Sequence, residues 1–186
     1  MPRLPIKLNE AVTQLRRGGV IAYPTEGVWG IGCDPFDERA VNRLLAIKRR
    51  PVDKGLILVA GNIAQLTPFL RGLEADQLAR LEGSWPGPFT WLVPDNGTAP
   101  AWIRGDHDAV ALRVSNHPQV VELCRAFGGP IVSTSANRAG HPVAQFGWQL
   151  TRQLPQIDYI LRGPLGGSGK PSTIRDLRSG EILRGL

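Results

Sequence analysis

Short apolar runs of strand character alternate with segments of helical period from one end of this sequence to the other, and that alternation restricts the fold more than any other feature. Strands and helices interleaved in this way predict an α/β protein. Asn9 is placed to cap a helix through Arg17, Gly18-Gly19 end it, and VIAY at 20–23 then reads as a buried strand. The pattern repeats with Asp37 as a cap, a helical face of Val41, Leu44, Leu45 and Ile47–Lys48, a stop at Pro51, and the strand LILVA at 56–60.

Further strands are predicted at FTWLV (89–93), AVALRV (109–114) and PIVSTS (130–135), with a helix from Pro118 to Phe127 closed by Gly128-Gly129. Short extended pieces follow at 157–160 and in STIRDL and EILR. The Pro/Gly-rich joints PTEGVWGIG, SWPGP and GPLGGSGKPS read as loops. No linker, internal repeat or low-complexity tract divides the chain, and 186 residues with 42% hydrophobic content fit a single domain spanning 1–186.

Several function classes are disfavoured by composition. No apolar run approaches the roughly 18 residues of a membrane span, and MPRLPIKLNEAV carries charges and prolines where a secretory signal needs an apolar stretch, so a cytoplasmic location is expected. Cys33 and Cys124 form no C-x-x-C and sit among apolar residues, as buried thiols do. His107, His117 and His141 lack metal-ligand spacing and read as loop or cap residues, so no protein-caged metal is expected. Lys and Arg outnumber Asp and Glu by 22 to 16, a net charge of +6 that favours anionic partners, nucleotides or RNA.

Familiar phosphate motifs fail one by one. GPLGGSGKPS has proline at 164 and 171 where a Walker loop needs Gly and Ser or Thr. Gly30-Ile-Gly32 starts a dinucleotide fingerprint, but Pro35 stands at its third glycine. No G-x-S-x-G elbow is present. What remains is a set of basic and hydroxyl residues at the ends of helices and strands, where they converge on an anion.

Five blocks in order, AYPTEGVWGIGCD (22–34), Lys48-Arg49-Arg50-Pro51, SWPGPFT (84–90), ALRVSNHP (111–118) and STSAN (133–137), resemble the YrdC/Sua family of threonylcarbamoyl-AMP synthases in its short, stand-alone bacterial form. The resemblance runs from about Gly18 to Arg184. It implies a single-domain twisted mixed sheet with flanking helices and a positively charged concave groove, without a further C-terminal domain. The implied activity joins L-threonine, bicarbonate or CO2 and ATP into threonylcarbamoyl-AMP and diphosphate. The product serves threonylcarbamoylation of the adenosine beside the anticodon, through a downstream transferase acting on tRNA. Mg2+ would arrive with ATP, and direct RNA binding through the basic groove is a further expectation.

By the same resemblance Lys48 and Arg50 act catalytically through charge and positioning, and ATP is held by Lys48, Arg50, Lys54, Asn137 and Arg184. Threonine and its carbamate fall to Thr25, Arg113, Ser135 and Ser172. Two departures stand out: Gly27 replaces the last residue of the family's PTET, and Val59 stands where a histidine is often found.

Taken on their own, the residues have simpler explanations. A basic helix end complements the helix dipole, Arg113 pairs with one of the chain's acids, and Ser-Ala-Asn is ordinary strand-to-turn chemistry. An RNA-binding or ribosome-maturation module, and another carbamoyl- or acyl-adenylate enzyme on the same fold, are the alternative functions. Against the first, no RNP-like aromatic run is present, and Trp85, Trp91, Trp102 and Trp148 occur singly, in contexts that suit core or groove-wall positions.

Overall fold

The computed structural model describes residues 5–167 and 169–184, the last of these by its backbone alone. The chain opens with helix α1, Ile6–Arg16, which starts three residues before the expected cap at Asn9. Pro5 sets the entry with φ −52°, and burial of Leu8 with Ala11, Val12 and Leu15 draws the first turn onto the sheet. Strand β1 (Ile21–Pro24) then pairs with β2 (Trp29–Gly32), a strand inside the joint expected to be a loop. Its glycines hide the two-residue period, and they are there for close approach. A Cβ on Gly32 would overlap the carbonyl oxygen of Val132.

Helix α2 (Glu38–Lys48) is capped as expected, Asp37 accepting from the N–H groups of Arg39 (3.0 Å) and Ala40 (3.2 Å). It ends at Arg49, left-handed at φ 52°, just ahead of Pro51. The remaining strands are β3 (Ile57–Ala60), β4 (Phe89–Pro94), β5 (Ala109–Val114), β6 (Ile131–Ser135), β7 (Tyr159–Ile160), β8 (Thr173–Asp176) and β9 (Ile182–Arg184). Helices α3 (Thr67–Leu70), α4 (Ala75–Glu82), α5 (Ala101–Arg104), α6 (Pro118–Phe127) and α7 (Gly147–Gln153), with 3-10 turns at Val52–Lys54 and Ile63–Leu66, complete the described elements.

All nine described strands join one mixed sheet in the order β7-β1-β2-β6-β3-β5-β4-β8-β9, with β1–β7, β3–β5 and β4–β8 parallel. Alternation along the strands sorts side chains to two faces. Ala22, Leu58, Val110, Leu112, Val114 and Val132 join the core that α2 and α4 cover. Ile21, Tyr23, Val59 and Ile131 face the other way, under α1 and α6.

That second face is only partly roofed, and where α1 and α6 stop it opens as a cleft floored by Ile57, Leu92, Ala109, Ala111 and Ile174. Val59 is therefore a core residue under α6, at the covered edge of the floor that Ile57 begins.

Trp85 and Trp91 are core residues, and Trp102 is partly buried against the same core. Trp148 departs from its expected place: it is 62% exposed on α7, its ring parallel to that of Phe146 within 8° at 6.4 Å. The stripe of α7 that meets the core centres on Leu150, two residues on, which turns Trp148 outward. No helix among the described residues is long and apolar enough to cross a membrane.

Candidate active site

The cleft has a volume of about 490 Å³, within the roughly 300–1,000 Å³ span of small-molecule sites. Arg50, Lys54, Arg104, Arg113 and Lys170 line it, together with Thr25, Ser133, Ser135 and Ser172. Among the described residues no Asp or Glu lines it.

Arg113 projects from the far end of β5, beyond Ala109 and Ala111 on the same face. Its Nε donates to the carbonyl of Gly87 (3.1 Å), and its Nη2 lies 2.7 Å from Glu26 Oε2. Glu26 accepts on its other oxygen from the Ser115 hydroxyl (2.7 Å) and the Asn116 N–H (3.0 Å). Burial alone would raise the Glu26 pKa, but Arg113 and these hydrogen bonds outweigh it and hold the carboxyl below its usual value. The pair fixes the guanidinium at one end of the cleft.

Register places the other residues around it. Thr90 lies beside Arg113 across β4–β5, and its hydroxyl shares a 2.8 Å hydrogen bond with that of Ser172, both side chains buried. Thr25 closes its own turn, Oγ1 donating to the Val28 carbonyl (2.6 Å). Ser133 pairs with Ile57 across β3–β6, so Ser135 sits two residues farther along, level with the loop that precedes β3.

Of the two cations expected on one polyphosphate, Arg50 lines the cleft, whereas Lys48 is buried to 3% exposure behind it. The Lys48 ammonium donates to the carbonyls of Ser135 (2.5 Å) and Asn137 (2.8 Å), and its own carbonyl accepts from the Ala139 N–H. Burial and then the neighbouring Arg50 lower its pKa to about 8. Asn137 likewise stands behind the wall: its Oδ1 accepts from the Ser135 hydroxyl (2.7 Å) and its Nδ2 donates to the carbonyl of His141. The backbone of Arg184 pairs with Ile174 in β8–β9, and its side chain lies outside the described residues.

Comparison with known proteins places the chain in a family. The Sua5/YciO/YrdC family, described as "Telomere recombination", matches residues 13–185. The chain belongs to that family. It is 57% identical over 178 residues to a threonylcarbamoyl-AMP synthase of Chromohalobacter salexigens, covering 96% of each chain. The fold superposes on Sua5 of P. abyssi, solved with L-threonine, with a TM-score of 0.87 at 31% identity over 95% of this chain and 53% of that one. It superposes on YciO of E. coli with a TM-score of 0.85 at 26% identity over 98% and 91%. The chain thus spans about half the length of the P. abyssi protein.

Within this family frame, Thr25, Arg50, Lys54, Arg113, Ser135 and Ser172 meet on one cleft, and Lys48 and Asn137 support it from behind. Sequence reasoning misses Arg104, Lys170 and Thr90. Lys170 lies in the segment that fails as a Walker loop, and Thr90 carries a readable signal as the alternate residue to Trp91 in a strand. Arg104 gives none, because only the tertiary fold brings its loop to the cleft.

Proposed function

We propose that this chain is a threonylcarbamoyl-AMP synthase whose reaction takes place in the cleft on the open face of the sheet. The observation that carries the reading is a cleft with Arg113 held at one end, Arg50 and Lys54 near the other, hydroxyls between them and no lining carboxylate among the described residues. Threonine is anchored through its carboxylate on Arg113, with Ser172 and Thr25 close by, and the triphosphate runs toward Ser135, Arg50 and Lys54. Such a lining makes the groove electropositive, in keeping with the net charge of +6.

The chemistry needs little covalent help. The threonine amine adds to CO2 and loses a proton, giving a carbamate. A carbamate oxygen then forms a bond to the α-phosphorus as the bond to the β-phosphate oxygen breaks, releasing diphosphate. Alignment of the two substrates and neutralisation of phosphate charge supply the acceleration. Arg50 and Lys54 neutralise the phosphates, Arg184 completes the nucleotide side, and Asn137 acts through the Ser135 hydroxyl that it holds. Lys48 acts as a positioning residue, its ammonium fixing the turn that carries Ser135 and Asn137.

Among the described residues no cluster of three His, Cys, Asp or Glu is placed to hold a metal. Mg2+ would enter on ATP with its own waters, where it would supply further neutralisation of phosphate charge. Ser135 and Thr25 offer hydroxyls to such a hydrated complex.

The product passes to a transferase acting on tRNA, which suits a cytoplasmic enzyme. A second reading, direct RNA contact, is favoured by one observation: the exposed parallel pair Phe146 and Trp148 offers a stacking surface.

The deciding assay is diphosphate release from ATP, Mg2+ and bicarbonate, with and without L-threonine. Release that requires threonine, prefers it to serine and is lost in Arg113→Ala supports the reading. Release indifferent to threonine points to a different adenylate-forming enzyme, and RNA binding with no release points to the second reading.

A further inference from the structure

The end of the cleft remote from Arg113 is made of two loops locked to each other. The first runs from Arg50 through the 3-10 turn Val52–Lys54 to Gly55, and the second runs from the last turn of α5 at Ile103 to His107. Leu56 donates its N–H to the Ile103 carbonyl (2.8 Å), and Asp106 donates to that of Asp53 (3.1 Å). Gly55 (φ 58°) and Gly105 (φ 67°) are both left-handed. A Cβ on Gly55 would come within 2.7 Å of the Arg104 carbonyl oxygen, and one on Gly105 would strike that of Asp53. Backbone meets backbone there, with no room for a side chain between.

Each loop brings cations to the cleft: Arg50 and Lys54 from the first, Arg104 from the second, with His107 beside it. Arg50 donates from Nη2 to the carbonyls of Lys54 (3.1 Å) and Gly55 (2.9 Å), which holds its guanidinium against its own loop. Arg104 is held by Asp95, Nε to Oδ2 at 3.3 Å, and by a hydrogen bond from Nη1 to the His107 carbonyl. Asp95 pairs with Arg104, Asp53 acts on Arg50, and Asp106 lies within the second loop; none of the three lines the cleft.

We propose that this clasp is the seat of the leaving diphosphate, and that Arg104 is a phosphate-binding residue alongside Arg50 and Lys54. The proposal deepens the functional reading above and rests on its placement of threonine at Arg113. Displacement at the α-phosphorus is close to in line, so the diphosphate departs on the side opposite the attacking carbamate. With threonine at Arg113, that side is the clasp. Strand β5 runs from Ala109 at the clasp to Arg113, a span of about 13 Å at the usual rise per residue, which leaves room for the α-phosphate between the two. Register agrees: Ser135, level with the loop before β3, lies at the clasp end.

The test uses inorganic diphosphate as the probe, with binding measured calorimetrically on the full chain in the absence of ATP. Arg104→Gln should weaken diphosphate binding about tenfold or more, the loss expected for one charge-assisted contact, and leave threonine affinity within about twofold. Arg104→Lys should recover part of the loss. Arg113→Gln should show the reverse pattern, losing threonine and keeping diphosphate. If Arg104→Gln disturbs the fold, seen as a loss of threonine binding as well, Lys54→Gln on the facing loop reads the same seat and should lose diphosphate alone.

Diphosphate affinity unchanged in Arg104→Gln, or in Lys54→Gln where that variant replaces it, overturns the proposal while leaving the synthase reading in place. Absence of threonine-dependent diphosphate release by the wild type removes the synthase reading and, with it, the proposal.

Discussion

Arg113 and Glu26 form an ion pair at 2.7 Å in which both side chains are 13% exposed, so a charge assigned to a substrate carboxylate is already oriented by one of the protein's own. Glu26 reaches Arg113 from the turn after β1, with Ser115 and Asn116 holding its second oxygen. Glu26→Gln should destabilise the fold by about 3 kcal/mol, since it leaves Arg113 without its counter-charge in a largely buried place. The KM for threonine should rise with little change in that for ATP. Urea unfolding and separate substrate titrations check both, and a variant with unaltered threonine KM removes Glu26 from the positioning role.

Acid stability follows from the same pair. The Glu26 pKa is lowered in the folded protein, so its contribution is fully present above the ordinary value of 4.5 and is lost as pH falls through the lower folded value. Unfolding free energy should fall more steeply below pH 4.5 in the wild type than in Glu26→Gln. Parallel acid profiles would show that the pair contributes nothing to this dependence.

Lys48 gives a slope of the same sign at the other end of the scale. Its folded pKa is about 8 against an ordinary 10.5, so the unfolded chain binds the extra proton between these values and stability should rise with pH across that window. Lys48→Met should lack the rise. Affinity for a non-hydrolysable ATP analogue should fall through about pH 8 in the wild type as the ammonium bracing Ser135 and Asn137 is lost. Urea titrations at pH 7, 9 and 10 and analogue binding over the same range provide the measurements.

Thr90 orients Ser172. Thr90→Val keeps the shape and removes the 2.8 Å hydroxyl pair, at a cost of about 1–2 kcal/mol, and should raise the threonine KM several-fold. Thr90→Ser keeps the hydroxyl and should restore the KM. A Val variant with wild-type KM would make Thr90 purely structural.

Gly32→Ala should prevent folding or destabilise by about 3 kcal/mol or more, because the added methyl overlaps the Val132 carbonyl in the neighbouring strand. Thermal melting reads this directly. A stable Gly32→Ala protein would mean that β2 and β6 can separate without loss.

Elements with strong local signals are legible in the sequence. AVALRV is strand β5 and Pro118–Phe127 is helix α6, each within its expected bounds, because period and terminal residues agree there. Asp37 caps α2 for the same reason. Strand β2 is not legible, since Gly30 and Gly32 have no side chains to show an alternation, and the start of α1 is displaced by contacts of Leu8 that lie far away in sequence. Trp148 carries no local mark of exposure; the orientation of α7 on the core decides it.

The sequence by itself determined the α/β class, the family and six of the residues that line the cleft, because ordered motifs and periodicities are properties of neighbours along the chain. Only the tertiary structure decided how those residues divide. It set Arg50 on the wall and Lys48 behind it, tied Arg113 to Glu26, and brought Arg104 beside Lys54 through two interlocked glycine loops. These relationships join residues far apart along the chain and depend on sheet register and helix coverage, which no local pattern records.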